Sequence, residues 1–530
     1  MSDAPMTQSP ESRHIAVTTP VMDVGFVARI AHSSRAEQIA LIDEQGHRLT
    51  YQQLNTAIDT YGVHLKPWQR SVVALPFKAC FTAVIAYLAA LRYGVPLLLL
   101  DAQRFKLDTD ANCTEAMLSQ WPVLHQFNVQ ALIDVDSGAL LPMELDRPTP
   151  EPCRPDLALL MTTSGSSGVA KAVMLSYANL TANAQSISEF LPITSQDVAM
   201  TMLPLHYAYG LSVLNSHLHC GATVVLSDYT VLQPQFWTLF KQHQVQSISG
   251  VPFSYQLLRQ LRLERMNLPH LRYLTQAGGA LHAELRTYVQ QLSQDKGWPV
   301  YLMYGQTEAT ARIAYLPPTL LAEYADCIGQ AIPSGELWLE ALERDDWATA
   351  ASPLSSSQAV PSTQNMMPSA AKPNTPAICQ YGQLFYRGPN VMLGYANQYL
   401  DLCQPMPLLD ALATGDIAER LDNGLFRIVG RANRLIKLHG KRFQLDQAEQ
   451  QLRTLGFDVV LCGRDDWLGV VVQASSGAEP VAALTSVLRQ QWQLHPRLFV
   501  VASNIAIPRL SSGKIDYPAL MALLEQKAAC

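Results

Sequence analysis

Apolar runs of strand length alternate with helical patterns from about residue 21 to residue 339, and this alternation constrains the fold more than any other feature. Strands that alternate with helices favour parallel sheets covered by helices on both faces. We therefore predict an α/β fold with doubly wound layers. A chain of 530 residues is too long for one compact core, so we expect two or more domains. The candidate strands are residues 157–161, 222–226 and 247–250, and the candidate helices are residues 180–190, 235–243 and 283–294.

The most apolar stretch, residues 81–100, approaches the length of a membrane span. Arg92, Gly94 and Pro96 interrupt it, so we predict a helix over residues 79–92, a stop at the glycine and a buried strand over residues 97–100. We therefore expect no transmembrane segment. The first 19 residues are polar and lack the apolar core of a signal peptide, and we predict a disordered tail over residues 1–19.

Charge and cysteine content argue against several classes of function. The net charge of −6 gives no electrostatic reason to expect a nucleic acid or an anionic membrane as partner. None of the nine cysteines forms a CxxC pair or clusters with histidine at ligand spacing, which argues against a zinc site. Scattered reduced thiols are typical of a cytosolic protein, and we expect a cytoplasmic location.

A change of composition divides the chain into domains. Residues 348–376 consist mainly of Ala, Ser, Pro, Gln, Asn and Thr, with Lys372 as their only charged side chain. Such a segment buries too little apolar surface to order itself, so we predict a flexible insertion. Strand and helix signals of a separate unit follow after about residue 434. We predict a large domain over residues 20–432, which carries the insertion, and a small α+β domain over residues 434–530.

Residues 162–171, with the sequence TTSGSSGVAK, form a segment rich in hydroxyls and glycine. Glycines let backbone N–H groups approach phosphate oxygens, and hydroxyls add hydrogen-bond donors. The segment is not a Walker A loop, because Lys171 follows Gly168 by three residues and Ala172 comes next. Taken alone, it indicates either a phosphate-binding loop or a Ser/Thr-rich surface turn. Together with the distant Lys514 in a turn-like segment, it suggests a nucleotide reaction assembled from two domains.

At this loop the chain resembles the adenylate-forming superfamily of AMP-dependent synthetases and ligases, which includes acyl-CoA synthetases, firefly-luciferase-like enzymes and peptide-synthetase adenylation domains. The family loop reads Ser/Thr-Gly-Ser/Thr-Thr-Gly-x-Pro-Lys-Gly, and this chain departs from it at Ala170 and Ala172. Further family motifs follow in family order along almost the whole chain. The resemblance implies that ATP phosphates are bound by Thr163, Ser164, Gly165, Ser166, Ser167, Gly168 and Lys171.

The sequence YGQTE at residues 304–308 matches the family signature YGxTE. The resemblance implies that Tyr304 stacks on adenine, Thr307 contacts the α-phosphate or the acyl carboxylate, and Glu308 binds Mg²⁺. These roles suit the side chains, since a flat ring packs on a flat base and a carboxylate is a hard oxygen ligand. The other positions implied are Gly279, Ala280 and Gly305 for the nucleotide, and Gly278 and Gln306 for the substrate pocket.

Three later motifs match the family as well. The TGD motif ends in Asp416, whose carboxylate is implied to hold both ribose hydroxyls, which it can accept together. The sequence GRANRLIK resembles the family motif GRxDxxIK, and it supplies Arg431 as a ribose or phosphate ligand and Asn433 at the hinge position. Lys437 closes this motif, and Lys514 matches the catalytic lysine near the C-terminus.

The resemblance implies two half-reactions. A carboxylate attacks the α-phosphate of Mg·ATP to give acyl-AMP and pyrophosphate, and a thiol of CoA or of a phosphopantetheine arm then takes the acyl group. Lys514 and Thr307 are implied to act in the first step, and Lys437 in the second after the small domain turns about the hinge. The implied fold has doubly wound α/β subdomains and a small β-barrel in the large domain, with a mobile α+β domain after it.

Residues 203–211, with the sequence LPLHYAYGL, align with the family's acyl-pocket segment. Amino-acid-activating domains place an Asp there for the α-ammonium group, and hydroxyaryl-acid enzymes place an Asn near Ala208; both are absent. An aliphatic or other apolar acyl group is therefore favoured. His206 and Tyr207 are candidates to gate the pocket, and a structural hydrogen bond is the alternative role for His206.

Three readings of the function remain open. The favoured one is an acid–thiol ligase whose partners are a small carboxylic acid and CoA or an acyl carrier protein. The second is an amino-acid-activating enzyme that loads a carrier protein, which the pocket segment disfavours. The third is a non-catalytic adenylate-binding protein of the same fold. Retention of the motif residues disfavours this last reading.

Overall fold

The computed structural model describes the chain with gaps. The described residues are 25, 27, 35–105, 121–143, 151–163, 171–341, 378–407, 409–438, 441–473, 478–492, 494–509 and 515–529. The predicted tail and the predicted insertion lie outside them.

Strands and helices alternate through the first part of the described chain. The strands there are β1 Ile39–Ile42, β2 Arg48–Thr50, β3 Val73–Pro76, β4 Leu97–Leu100, β5 Ala131–Ile133, β6 Leu140–Pro142, β7 Leu157–Thr163, β8 Lys171–Ser176, β9 Val198–Met200, β10 Thr223–Val225, β11 Ser247–Gly250, β12 Tyr273–Gln276, β13 Val300–Tyr304, β14 Ala314–Leu316 and β15 Gln330–Ala331. The helices there are α1 Tyr51–Leu65, α2 Phe81–Tyr93, α3 Pro122–Gln126, α4 Tyr177–Phe190, α5 Ala208–Cys220, α6 Pro234–Gln242, α7 Pro252–Gln260, α8 Ala283–Lys296 and α9 Leu321–Tyr324.

The later part of the chain is richer in strands. The strands are β16 Glu336–Ala341, β17 Ile378–Arg387, β18 Gly394–Ala396, β19 Leu412–Leu421, β20 Phe426–Arg431, β21 Leu435–Leu438, β22 Lys441–Gln444, β23 Val459–Arg464, β24 Trp467–Val472 and β25 Phe499–Ser503, and the helices are α10 Leu445–Thr454, α11 Ala478–Gln490 and α12 Tyr517–Ala529.

The largest sheet has seven strands in the order β18-β8-β7-β4-β3-β5-β6. Its centre is parallel, as predicted, because β3, β4, β5 and β7 pair side by side in one direction. Its edges are antiparallel, since β7 leads to β8 and β5 leads to β6 through connections of a few residues. A short connection reverses the chain, whereas a parallel neighbour requires a long crossover.

The apolar stretch that resembled a membrane span is the core of this sheet. Helix α2 is followed by Gly94 in the left-handed conformation (φ +73°), which ends the helix where predicted, and β4 follows. Leu97 and Leu99 pack into one buried cluster while Leu98 and Leu100 pack into another. Successive strand residues face opposite sides, so β4 is apolar throughout because both faces of the sheet are covered. No helix among the described residues is long and apolar enough to cross a membrane.

Two more sheets complete the doubly wound layers. Strands β9 and β10 lie beside β1 and β2 in a four-stranded sheet with the order β2-β1-β10-β9. A five-stranded sheet has the order β11-β12-β13-β14-β15, and its first three strands are parallel. The YGQTE segment begins at the end of β13, beside the carboxyl ends of β11 and β12. Parallel strands therefore bring the predicted motifs to one edge of this sheet.

The small β-barrel implied by the family corresponds to an antiparallel sheet of four strands, β16-β17-β19-β20. The end of β16 pairs with β17 through Ala341 and Gly382. The predicted insertion at residues 348–376 therefore separates two strands that are neighbours in this sheet. Asp416 on β19 lies opposite Arg431 at the end of β20, so this sheet carries two predicted nucleotide ligands.

Residues after β20 form α+β structure. Strands β23, β24 and β25 make a three-stranded sheet, and β21 pairs with β22. Two apolar clusters there draw all their buried residues from positions 436–524. Separate packing of this kind is what the predicted small domain requires.

Candidate functional site

The predicted phosphate loop connects two neighbouring antiparallel strands. Thr163 at the end of β7 pairs with Lys171 at the start of β8. The residues between them, and the side chain of Thr163, lie outside the described part of the chain. This places five predicted phosphate ligands beyond description: Ser164, Gly165, Ser166, Ser167 and Gly168.

Lys171 belongs to a cluster that also contains the predicted magnesium ligand. Its Nζ lies 3.4 Å from the centroid of the Tyr395 ring, and Tyr395 donates its hydroxyl to Oε1 of Glu308 at 2.8 Å. Burial, with Glu308 beside it, raises the pKa of the Tyr395 phenol, so the hydroxyl stays a donor. Tyr395 was not among the predicted site residues. The structure makes it the link between the phosphate-loop strand and the YGQTE segment.

Glu308 fits a magnesium site of the kind that uses one protein carboxylate. Its second oxygen, Oε2, is paired with no described residue, while Oε1 is held by Tyr395. The described residues contain no group of three or more His, Cys, Asp or Glu side chains that forms a metal cage. Mg²⁺ typically takes one or two carboxylates and completes its shell with water and phosphate oxygens.

The backbone after YGQTE is held by a buried amide. Asn390 donates Nδ2 to the carbonyl oxygens of Ala309 and Arg312, each at 2.8 Å, and its own carbonyl accepts from the Thr310 hydroxyl at 2.7 Å. Thr310 has φ +63°, which is unusual for a residue with a β-carbon. Met392 N–H also binds the Glu308 carbonyl at 2.8 Å. These bonds fix the short helical turn that begins at Thr307.

Tyr304, Gln306, Asp416 and Arg431 meet in one hydrogen-bonded group, which we call the ribose cluster. The Tyr304 hydroxyl donates to Oδ2 of Asp416, and Arg431 Nε lies 3.2 Å from Oδ1. Gln306 was predicted to line the substrate pocket. Its Nε2 instead donates to Oδ2 of Asp416 at 3.0 Å and to the carbonyl of Thr414 at 2.7 Å.

The ribose cluster contains a buried carboxylate. Asp416 is 2% exposed, and burial raises its pKa, while Arg431, Tyr304 and Gln306 oppose that shift. Burial also raises the pKa of Tyr304, so the phenol remains a donor to the carboxylate. The Arg431 side chain is 55% exposed and forms the outer cover of Asp416. A ligand that reaches the carboxylate must therefore share it with Arg431 or displace that side chain.

The predicted acyl pocket lies beside the glycines that precede YGQTE. Gly278 has φ +84°, and a β-carbon on it would come within 2.7 Å of the Tyr207 hydroxyl oxygen, so both conformation and space favour glycine. Gly279 and Ala280 are exposed, and the Gly279 carbonyl accepts from Gln276 at 2.8 Å. His206 lies 3.8 Å from Oδ2 of Asp101, which follows β4. This distance is too long for a hydrogen bond, so both roles considered for His206 stay predictions.

Arg312 is a site residue that the sequence interpretation missed. Its guanidinium is buried, with 2% exposure, and stacks on the Tyr209 ring at 4.0 Å. The available signal was a single charged residue among the apolar residues 311–314, which begin three positions after the YGQTE motif ends. Asp101 gave no clear signal in the sequence, and Thr414 was noted only as the first residue of the TGD motif.

The hinge and lysine predictions fall largely outside the described residues. Asn433 lies in a 3₁₀ turn over Ala432–Arg434 and Lys437 lies on β21, but neither side chain is described, and Lys514 lies wholly outside. Arg434 beside the hinge is buried and bonds Glu449 at 2.7 Å. Arg509, upstream of Lys514, places its guanidinium 5.0 Å from the ring of Phe253 on α7. This contact joins the C-terminal part of the chain to α7, whose first residue, Pro252, lies beside Gly279.

Comparison with known proteins identifies relatives along most of the chain. Phosphinothricin tripeptide synthetase PhsC of Streptomyces viridochromogenes is 28% identical over 97% of this chain and 47% of its own length. The medium-chain fatty-acid–CoA ligase of Escherichia coli is 26% identical over 68% of this chain and 60% of its own length. The chain thus spans about half the length of these curated relatives.

A solved structure shares the fold. O-succinylbenzoate coenzyme A synthetase (MenE) from Bacillus subtilis, in complex with AMP, superposes with a TM-score of 0.68 at 22% identity, covering 93% of this chain and 97% of that one. The family model described as AMP-binding enzyme matches residues 28–396, which is well over half of the chain. The chain belongs to this AMP-binding enzyme family, the adenylate-forming superfamily of AMP-dependent synthetases and ligases.

Proposed function

We propose that this protein is an ATP-dependent acid–thiol ligase, which joins a carboxylic acid to AMP, releases pyrophosphate and passes the acyl group to a thiol. The observation that carries the proposal is the meeting of residues from three distant segments. Tyr304, Asp416 and Arg431 belong to the ribose cluster. Four residues after Tyr304, Glu308 accepts a hydrogen bond from Tyr395, and Lys171 lies over the ring of that tyrosine. One face thus offers a ring for a base, an acceptor for ribose hydroxyls and a metal-binding carboxylate next to a cation.

On the nucleotide side, the roles follow from charge and shape. Asp416 accepts the ribose hydroxyls, and its bonds to Tyr304 and Gln306 hold the carboxylate in place. Tyr304 presents its ring to adenine, since its hydroxyl is tied to Asp416. Arg431 covers the carboxylate in the state described, and it remains close enough to contact ribose or phosphate oxygens after it moves.

On the phosphate side, the problem is to bring two anions together. Lys171 and the loop before it hold the leaving pyrophosphate, and Thr307 donates at the α-phosphate. Glu308 would hold Mg²⁺, and the bound metal would supply positive charge next to the phosphates. Lys514 supplies a further positive charge at the bridging oxygens. Fixed donors and cations of this kind lower the barrier because they need no reorganisation as charge develops.

The second half-reaction uses the division into two domains that we propose at residues 432–434. The small domain, residues 434–530, turns about Asn433 and exchanges Lys514 for the face that carries Lys437. Large changes of φ and ψ suit a short polar side chain. The separate apolar clusters after residue 436 support this motion, because they keep the small domain packed while it moves.

We propose an acid with an aliphatic stem. Residues 203–211 contain neither an Asp for an ammonium group nor an Asn near Ala208. The adjacent buried cluster contains Tyr209, Val213, Val251, Ala277 and Met303. The thiol belongs to CoA or to a carrier-protein phosphopantetheine. A fatty-acid–CoA ligase among the relatives supports CoA as the acceptor.

Two other functions are weighed against this one. An amino-acid-activating enzyme is supported by the match to the peptide synthetase PhsC, but the acyl side carries Arg312, a cation that repels an ammonium group. A non-catalytic adenylate-binding protein would not require Glu308 to keep an oxygen without a described partner.

The test is hydroxamate trapping. Purified protein is incubated with Mg·ATP, hydroxylamine and a panel of carboxylic and amino acids, with and without CoA. We expect acid-dependent hydroxamate and pyrophosphate, and a thioester when the correct thiol is present. Hydroxamate from amino acids alone would support the second function. No product from any acid, with nucleotide binding intact, would support the third.

A further inference from the structure

Arg312 is a buried cation that has no anionic partner among the described residues. Its side chain makes two described contacts: Nε donates to the Met303 sulfur at 3.3 Å, and the guanidinium plane stacks on Tyr209. No carboxylate of the described chain forms an ion pair with it, and its terminal Nη atoms have no hydrogen-bond acceptor among the described residues. Burial lowers the pKa of this arginine, which reflects the cost of keeping the charge away from water.

Other buried arginines of the protein are paired. Arg92 is 6% exposed, and its Nη1 lies 2.9 Å from both Asp59 Oδ1 and Asn55 Oδ1. Burying a guanidinium without such partners is costly, and proteins usually avoid it. Stacking on an aromatic ring offsets only a part of that cost. The Nη atoms of Arg312 therefore call for a partner that the described residues do not supply.

The guanidinium lines a small cavity with mixed walls, in which the apolar side chains of Ile187, Leu191 and Val213 lie beside polar ones. Arg312, Ser212, His217, Ser249 and Thr275 face it, and it has room for roughly one water-sized group. The Thr275 hydroxyl donates to Ser249 at 2.9 Å and bonds the Tyr209 hydroxyl at 2.8 Å. When Tyr209 donates to Thr275 and Thr275 donates to Ser249, the Ser249 hydrogen is left for a further acceptor. The cavity thus offers a cation and a hydroxyl donor together.

The cavity lies against the proposed acyl pocket. Tyr209 follows Tyr207 by two residues, and Tyr207 packs on Gly278. The Arg312 Cα lies 2.9 Å from where a β-carbon of Gly305 would be, so the arginine is anchored to the YGQTE segment itself. An acid whose reacting carboxylate lies near Thr307 can therefore extend away from the nucleotide towards the guanidinium.

We propose that the substrate is an aliphatic dicarboxylic acid, and that Arg312 with Ser249 binds the carboxylate that does not react. This rests on the ligase function proposed above and specifies its substrate class. A carboxylate accepts two parallel N–H bonds from a guanidinium, so its second charge is neutralised inside the pocket. An unbranched fatty acid would instead leave the cation buried and unpaired.

The test compares acids of equal chain length that end in a methyl group or a carboxylate, such as butyrate with succinate and hexanoate with adipate. Hydroxamate formation is measured for the wild type, Arg312→Met and Arg312→Lys. The wild type is expected to favour one dicarboxylate over its methyl-ended match by about 10²-fold or more in kcat/KM, since a buried polar group rejects a ligand that leaves it unpaired. Arg312→Met is expected to lose that preference, and Arg312→Lys to keep a part of it. The monomethyl ester of the favoured acid should behave as the methyl-ended acid does.

A second buried arginine, Arg92, provides the control for effects on folding. Arg92→Met breaks an ion pair and should lower the melting temperature, whereas Arg312→Met removes an unpaired charge and should leave it unchanged or raise it. Turnover of methyl-ended acids alone, or a preference that survives Arg312→Met, overturns the inference but leaves the ligase function standing. No hydroxamate from any acid overturns both.

Discussion

The two ends of the proposed site each contain an arginine, and they differ in whether that arginine is paired with a carboxylate. In the ribose cluster, Arg431 bonds a carboxylate that two further donors also hold, so every charge there has a partner before any ligand arrives. In the cavity behind the acyl pocket, Arg312 is more deeply buried and is paired with no carboxylate of the described chain. The charged groups at the nucleotide end are therefore paired with one another, whereas the arginine at the acyl end has no carboxylate partner among the described residues.

This difference indicates what each end needs from its ligand. A satisfied network positions its groups in advance, and its ligand competes with Arg431 for Asp416. An unpaired buried cation binds more tightly to an acid that supplies a hydrogen-bond acceptor, so this end of the site selects among acids. We therefore expect changes at the nucleotide end to act on all acids alike, and changes at the acyl end to act on the choice of acid.

The largest effect is expected from a change of Lys514, which we propose acts where the acid meets the nucleotide. Lys514→Ala should lower acid-dependent ATP–pyrophosphate exchange by a factor of about 10²–10³ or more, since it removes one fixed charge at the reacting phosphate. Lys437→Ala should spare exchange and slow thioester formation, because we propose that Lys437 acts only after the small domain has rotated. Exchange rates and thioester yields of both variants are measured with one acid. Equal loss of exchange in both would refute this division of labour.

A smaller effect is expected from Asp416→Asn. The amide keeps the shape but loses the charge that Arg431 and the ribose hydroxyls share, so the KM for ATP should rise about 10- to 100-fold, as for a lost hydrogen bond to a charged group. The selectivity among acids should not change. Asp326→Asn, which removes a partner of Arg427 in a separate ion pair, serves as the control and should leave the KM unchanged. A shift in acid preference with Asp416→Asn would contradict the separation of the two ends.

Tyr395→Phe tests the magnesium carboxylate. Loss of the hydroxyl frees Oε1 of Glu308 to rotate, and the Mg²⁺ concentration for half-maximal exchange should rise about tenfold, as is typical when a group that orients a metal ligand is removed. Titration of Mg²⁺ at saturating acid measures this, and exchange at saturating Mg²⁺ is the internal control. An unchanged Mg²⁺ requirement would place the metal ligand elsewhere.

The smallest effect concerns His217, which faces the same cavity as Arg312. Burial lowers its pKa from 6.5, although its bond to the Val213 carbonyl and the nearby Asp197 oppose the shift. Below pH 6.5 the unfolded chain therefore binds a proton that the folded chain does not, and the free energy of unfolding falls by at most about 1.4 kcal/mol per pH unit. Melting temperatures at pH 7.5 and about 5.5 should differ less for His217→Gln than for the wild type. The same pH dependence in both would mean that the imidazole is not kept neutral.

The sequence predicted the layers of the fold because hydrophobic period and glycine stops are local signals. The helix that ends at Gly94 and the strand after it were found in this way, and the motif order led to the family. The antiparallel edges of the largest sheet were not predicted, since apolar runs do not reveal the direction of a neighbouring strand.

Side-chain partners were harder to predict than motif positions. Gln306 was expected in the acyl pocket, but its amide points to Asp416, which lies 110 positions further along the chain. Arg312 was passed over because its burial depends on Tyr209 and Met303, which no spacing rule connects with it. The positions of both side chains depend on contacts between segments that are distant in the sequence, and a single sequence does not reveal such contacts.

The most direct test of the proposed function is acid-dependent ATP–pyrophosphate exchange by the wild-type protein, measured in parallel with matched dicarboxylic and monocarboxylic acids. The proposed site predicts exchange that requires an acid and Mg²⁺, with the fastest rate for a dicarboxylic acid. Exchange that is absent with every acid, although ATP binds, would contradict the proposal that the ribose cluster and the acyl pocket form one adenylation site.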